Sequence, residues 1–324
     1  MRVLVTNDDG IASPGLTVLA RSALDAGHEV VVAAPHRQYS GASAALTGQE
    51  ADGQLILVDE RPPGLPDEVE SIAVKAAPAL ITFVAAFGAF GPKPDVVMSG
   101  INLGANTGRA TLHSGTVGAA LSAAAHGIRA MAVSIASGKP QHWDTAGQVT
   151  DRALEWLTAR PVDERILNIN VPDVAPDRLR GLRSATLASF GAVQARVREK
   201  GSGHVQLTYS SVEAEDEPGS DHYLLARGWA TATMLRAPVD DADGIQLPTF
   251  DGAAGAGAGA AEPMVEVSSG TVMSTGASED SPEAGRVTAE GTGRPGPTGV
   301  EETAAAEADV GADDGTDADA DAPV

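Results

Sequence analysis

Along the first 180 residues, short continuous apolar runs alternate with polar breaks and with stretches of helical spacing. Arg2–Thr6 (RVLVT) is an apolar run of strand length, and Ser13-Pro14 after it is a capping residue with proline at the first helical position. Leu16, Leu19, Ala20 and Ala23 then recur at i, i+3, i+4 and i+7, one stripe of an amphipathic helix, and Gly27 supplies the stop. Residues 29–34 (EVVVAA) form a second apolar run, ended by Pro35. Strand, helix and strand within about 35 residues predict the βαβ unit of a parallel sheet.

The pattern repeats. Residues 76–90 predict a helix, PDVVMSG a strand, SGTVGAALSAAAHG a helix and AMAVSIA a further strand. Residues 144–159 predict an amphipathic helix with Val149, Ala153, Trp156 and Leu157 on one face, and RILNINVP a strand ending at Pro172. This alternation predicts a three-layer α/β fold with a mostly parallel sheet. Between residues 181 and 234 the character changes, and HVQLTYSSV and YLLARGWATATML predict antiparallel strands or a hairpin extension. Such an appendage often packs on a second subunit.

Composition changes the domain count. Of the chain's 324 residues, 251–324 carry 16 acidic and 2 basic side chains and no aromatic residue. That segment cannot bury enough apolar surface to offset its ordering entropy, and is expected to be a disordered acidic tail. The expected organisation is thus one domain over residues 1–250, with a core to about residue 180 and an extension over about 181–240. The 44 acidic and 22 basic residues of the whole chain leave 28 and 20 for residues 1–250, a net charge of −8. A body of that sign, with no Lys/Arg stripe, disfavours extended nucleic acid as a ligand. A small phosphate ester remains compatible, because a metal ion and aimed N–H groups can hold one. The chain reaches Asp8 before a signal-peptide apolar region could form, and its longest apolar stretch, residues 79–90, is short and Gly-interrupted. A soluble, cytoplasmic protein that spans no membrane is expected. The absence of cysteine excludes disulfides, thiolate metal sites and a Cys nucleophile.

In an open parallel sheet, ligands bind outside the carboxyl ends of the strands. The loops there hold Asn7-Asp8-Asp9-Gly10, then APHRQYSG with Ser40, then INLGANTG with Asn102 and Asn106. As a tetrapeptide, NDDG is an ordinary turn. Yet carboxylate, hydroxyl and amide oxygens without a His cluster suit Mg²⁺, Mn²⁺ or Ca²⁺, and two adjacent carboxylates repel unless a cation neutralises them. Ser114-Gly115-Thr116 opens a helix after the asparagine loop. Ser114 there is either a plain N-cap or part of a phosphate-binding helix start. The G-x-G-x-x-G, G-x-x-x-x-G-K-[ST] and G-x-S-x-G patterns are missing from these loops.

VTNDDGIASPGL, AAPHRQYSGASAALT, SGINLGANTG, HSGTVGAA and LNINVP, in that order, resemble the stationary-phase survival protein SurE family of 5′-nucleotidases. The resemblance spans residues 1 to about 235. It implies a Rossmann-like core, a C-terminal hairpin used in dimer or tetramer assembly, and hydrolysis of nucleoside monophosphates with one divalent cation, Mg²⁺ or Mn²⁺, per subunit. By the same resemblance the metal ligands are Asp8, Asp9, Ser40 and Asn102, with Asp8 and Asp9 catalytic. Asn106, Ser114, Gly115 and Thr116 surround the phosphate. The chain departs from the family pattern at Ala76-Ala77, where Gly-Thr is usual, and at His113, where Tyr is common. The expected activity is therefore a metal-dependent phosphomonoesterase acting on nucleoside 5′- or 3′-monophosphates. The alternatives are a nucleotide-binding module with little turnover, or a phosphatase of polyphosphate or sugar phosphates.

Overall fold

The apolar runs assemble into one nine-stranded sheet. In the computed structural model of the chain, residues 1–189, 193–201, 204–211, 217–238 and 274–275 are described. The strands are β1 (Arg2–Thr6), β2 (Glu29–Pro35), β3 (Leu57–Val58), β4 (Glu70–Val74), β5 (Val96–Leu103), β6 (Arg129–Ile135), β7 (Arg165–Val171) and β8 (Leu182–Ser184). A separate two-stranded antiparallel hairpin pairs β9 (Val193–Gly201) with β10 (His204–Ser211), and β11 (Ala230–Arg236) returns to the main sheet. The sheet order is β8-β11-β7-β6-β5-β1-β2-β4-β3. All neighbours from β7 to β4 are parallel, while β11 runs antiparallel to β7 and β3 antiparallel to β4.

Helices α1 (Pro14–Asp25) and α4 (Trp143–Thr158) pack together on one face, and α2 (Pro78–Ala86) and α3 (Gly115–Ala125) on the other. Side chains alternate between the faces with the two-residue period of a strand. Val3 and Val5 join the α1/α4 core while Leu4 joins the α2/α3 core, and Met131 and Val133 divide from Ala130 and Ala132 in the same way. Both faces are covered, which is why these strands read as unbroken apolar runs.

Several expectations need correction. The helix expected over 76–90 is confined to α2, because Gly88, at φ +92 just after the C-cap Phe87, turns the chain out of it. On α4 the buried arc centres on Ala146, Ala153 and Leu157. Trp156 stands at its rim, 43% exposed and stacked under the Arg160 guanidinium. YLLARGW is not a strand: Ser220 caps a short helix, α5 (Asp221–Leu225), by accepting the Tyr223 N–H at 3.2 Å. Nor does the sheet end near residue 180, since β8 and β11 complete one edge of it. The described residues fall in one compact unit, Met1–Glu279, and Asp280–Val324 lies outside them. Of the expected disordered tail only Ser274–Thr275 is described, paired with Thr47–Gly48, and the rest lies outside the described residues. Among the described residues no helix is long and apolar enough to cross a membrane.

The topology places the site. From β1 the chain adds β2 and β4 on one side, then returns to lay β5 against the other side of β1. The carboxyl ends of β1 and β5 therefore flank the point where strand order reverses, and loops diverge there to leave a crevice.

Candidate active site

The turn after β1 is built by its outer residues. Asn7 Nδ2 donates to the Gly10 carbonyl at 2.9 Å, and the Gly10 N–H donates to Asn7 Oδ1 at 3.1 Å. Gly10 sits at φ +100, where an added Cβ would lie 3.2 Å from the Arg37 backbone. Asn7 and Gly10 thus supply the turn chemistry, which leaves the carboxylates of Asp8 and Asp9 free for other partners.

Asp8 is 4% exposed. Its Oδ1 accepts the Thr116 hydroxyl, so the first turn of α3 rests on this carboxylate. A Cβ on Gly115 would lie 2.8 Å from Asp8 Oδ2, and only glycine permits that approach. Burial pushes the Asp8 carboxyl from 3.8 up to about 6; the Thr116 hydrogen bond opposes the shift and the charge of Asp9 adds to it. Asp9 is raised as well, by burial first, against hydrogen bonds from the Leu103 N–H to Oδ2 (3.1 Å) and from Gln38 Nε2 to Oδ1 (3.4 Å). The hydrogen bonds that favour the two charges come from neutral donors, so the pair suits an added cation.

The loop after β2 closes over the same point. The Tyr39 N–H donates to the Asp8 carbonyl at 2.7 Å, and Gln38 Nε2 donates to Ser40 Oγ at 2.8 Å while it reaches Asp9. Asn102 stands at the end of β5, beside the Leu103 N–H that holds Asp9. Its Nδ2 donates to the Gly104 carbonyl at 2.8 Å, which settles the carboxamide orientation and leaves Oδ1 uncommitted by that bond. Among the described residues no three His, Cys, Asp or Glu side chains converge. A divalent cation at this point would rest on Asp8, Asp9 and neutral oxygens such as Ser40 Oγ and Asn102 Oδ1, a hard donor set that fits Mg²⁺ or Mn²⁺.

The expected phosphate residues divide. Gly115 and Thr116 lie against Asp8, and the Thr116 hydroxyl is committed to it. Ser114 is a working N-cap, its Oγ accepting the Val117 N–H at 3.1 Å, and its hydroxyl hydrogen remains available to a ligand. Asn106 lies farther along the sheet edge, bonded to Ser134 on β6 and to Asn168 and Asn170 on β7. Those three residues and Gln38 escaped the sequence reading. For Asn168 and Asn170 one signal existed: two asparagines at period two in the otherwise apolar ILNINV place polar groups on one face of a buried strand. Ala76 and Ala77, where the family usually has Gly-Thr, are fully buried.

Comparison with known proteins agrees with this architecture. The family described as Survival protein SurE matches residues 3–193. The chain is 36% identical over 246 residues to a protein named 5′-nucleotidase SurE from Methylococcus capsulatus (strain ATCC 33009 / NCIMB 11132 / Bath), covering 73% of this chain and 91% of that one. It is 34% identical over 247 residues to a protein named 5′/3′-nucleotidase SurE from Edwardsiella ictaluri (strain 93-146), covering 73% and 90%. The crystal structure of the SurE protein from Aquifex aeolicus superposes with a TM-score of 0.63 at 24% identity, covering 75% of this chain and 96% of that chain, a likeness of fold. With the sequence motifs placed around one crevice and the match running through most of the sheet, the chain belongs to the survival protein SurE family.

Proposed function

We propose that the protein is a divalent-cation-dependent nucleotidase that hydrolyses nucleoside 5′-monophosphates, and 3′-monophosphates as a second class, to nucleoside and phosphate. The observation that carries this reading is the adjacent Asp8-Asp9 pair at the strand-order reversal, both carboxyls raised by burial and one of them touching the start of α3. The names of the two relatives above support the substrate class.

A cation bound there supplies positive charge that polarises a phosphoryl oxygen and acidifies water. Asp8 and Asp9 hold that charge, and the Leu103 N–H and Gln38 fix the orientation of Asp9. Asp9 is less buried than Asp8 and is the carboxylate placed to orient an attacking water and take its proton. The start of α3 offers the Ser114 hydroxyl hydrogen and the positive end of the helix dipole to phosphate oxygens, its Val117 and Gly118 N–H groups being taken by Ser114. With no cysteine in the sequence and the Thr116 hydroxyl committed to Asp8, the reading is direct attack by water. For the β9–β10 hairpin we propose a role in homodimer or homotetramer assembly.

The test is phosphate release from AMP, 3′-AMP, a sugar phosphate and tripolyphosphate with Mn²⁺ or Mg²⁺, before and after chelation. Release from the nucleotides that stops with chelator is expected. Release that survives chelation refutes the metal role, and tight AMP binding without release makes the protein a binding module.

A further inference from the structure

The loop between β5 and α3 carries Asn106, and this one residue is gripped by three side chains from the strands beneath it. The Asn106 N–H donates to Asn170 Oδ1 at 2.7 Å, and Asn170 Nδ2 donates back to the Asn106 carbonyl at 2.9 Å. The Asn170 carboxamide thus pairs with both polar groups of the Asn106 backbone, as the peptide of a neighbouring strand would. Asn168 Nδ2 donates to the same carbonyl at 2.9 Å. Asn106 Nδ2 donates to Ser134 Oγ at 2.8 Å, and Ser134 lies in register with Asn170 across the β6–β7 ladder. Two residues on, the Gly108 N–H donates to the buried Asp221 at 2.9 Å, so the loop is fixed at two points.

Strand stability does not account for these residues. Ser134, Asn168 and Asn170 are all 0% exposed in strands whose other buried members are apolar. A buried polar atom without a partner is costly, and Asn168 Oδ1 has none among the described residues. Valine or isoleucine would suit a parallel strand covered on both faces better. The polar groups therefore serve what they hold.

We infer that Ser134, Asn168 and Asn170 are positioning residues that seat Asn106 for phosphate, so that the phosphate half of the site is set by β6 and β7 and the cation half by β1, β2 and β5. This rests on the nucleotidase reading above. With one N–H of its carboxamide spent on Ser134, Asn106 keeps one N–H and Oδ1 for a ligand. The seat and the Asp8-Asp9 pair share no hydrogen bond, so disturbing one should leave the other intact.

The experiment uses the full chain and the variants Ser134→Ala and Asn170→Ala, with Thr150→Ala as a control that deletes an equally buried hydroxyl, bonded to the Ala146 carbonyl on α4. Three quantities are read: the KM for AMP, competitive inhibition by inorganic phosphate, and the rise in melting temperature caused by Mn²⁺. In Ser134→Ala and Asn170→Ala the KM and the phosphate inhibition constant should rise together by about tenfold, the loss expected when a binding group is misplaced. The Mn²⁺-induced rise should match the unaltered protein, and Thr150→Ala should change none of the three. Ser134→Ala removes one atom and keeps the test open if Asn170→Ala does not fold. Unchanged phosphate inhibition in the folded variants overturns the proposal. So does a Mn²⁺ response that falls in step with it, or an equal effect from Thr150→Ala. If the unaltered protein neither hydrolyses AMP nor binds phosphate, the nucleotidase reading itself fails, a result distinct from these.

Discussion

Replacing Asp8 by asparagine should make the metal-free protein more stable at pH 7. Asp8 is held at 4% exposure, and its carboxyl is raised from 3.8 to about 6 in the folded chain. An acid whose folded value lies above its unfolded value binds more protons when folded, so its ionisation opposes folding. That penalty is complete above pH 6, shrinks as pH falls through the folded value and vanishes below 3.8. At 1.36 kcal/mol per unit the penalty at neutral pH is about 3 kcal/mol. Asparagine removes it and keeps Oδ1 as acceptor for Thr116, but turns an N–H₂ group toward the start of α3, at a cost of about 1 to 2 kcal/mol. The net gain is about 1 to 2 kcal/mol, which for a domain of this size raises Tm by roughly 3–6 °C. The assay is thermal unfolding with chelator from pH 4 to 7, repeated at pH 7 with Mn²⁺. The advantage of Asp8→Asn should shrink as pH falls and reverse by pH 4, where the ionisation penalty drops below the cost of the misdirected N–H₂ group. With Mn²⁺ at a hundred times its Kd, the unaltered protein should gain about 2.7 kcal/mol and overtake the variant. A metal-free variant no more stable than the unaltered chain at pH 7, or equal Mn²⁺ gains in both, would refute the assignment of Asp8 as a buried cation ligand.

Two further substitutions probe the start of α3. Gly115→Ala places a methyl group 2.8 Å from Asp8 Oδ2, so Asp8 or the helix must shift; the overpacking costs about 1–3 kcal/mol, offset in part by the better helix former. Its Mn²⁺-induced melting shift should fall well below that of the unaltered protein, and a full shift would show that the helix start and Asp8 move independently. Ser114→Ala removes the cap on the Val117 N–H and should lower stability by about 1 kcal/mol, measured by denaturant unfolding. Loss of its free hydroxyl hydrogen should also lower kcat/KM by an amount equivalent to about 2–4 kcal/mol, and normal kinetics would leave Ser114 as a cap alone.

The sequence by itself determined the central strands and the helices between them, because apolar runs and helical stripes follow from burial that repeats with fixed periods. It also marked Asp8, Asp9, Ser40 and Asn102, since loops at strand ends show their chemistry as residue type. Strand order was not legible: β11 looked like part of an appendage, and its place beside β7 follows from long-range pairing that no local pattern encodes. Trp156 was misplaced because periodicity names a stripe but not which of its edges the sheet covers. Only tertiary structure decided that the Thr116 hydroxyl serves Asp8, 108 positions away, and that Gln38 joins Ser40 to Asp9. The same holds for Asn106, whose partners lie 28 to 64 positions along the chain. The periodicity that shapes a strand is a property of neighbours in sequence, whereas these hydrogen bonds exist only because the β1–β5 and β6–β7 pairings bring distant chain segments to one edge of the sheet.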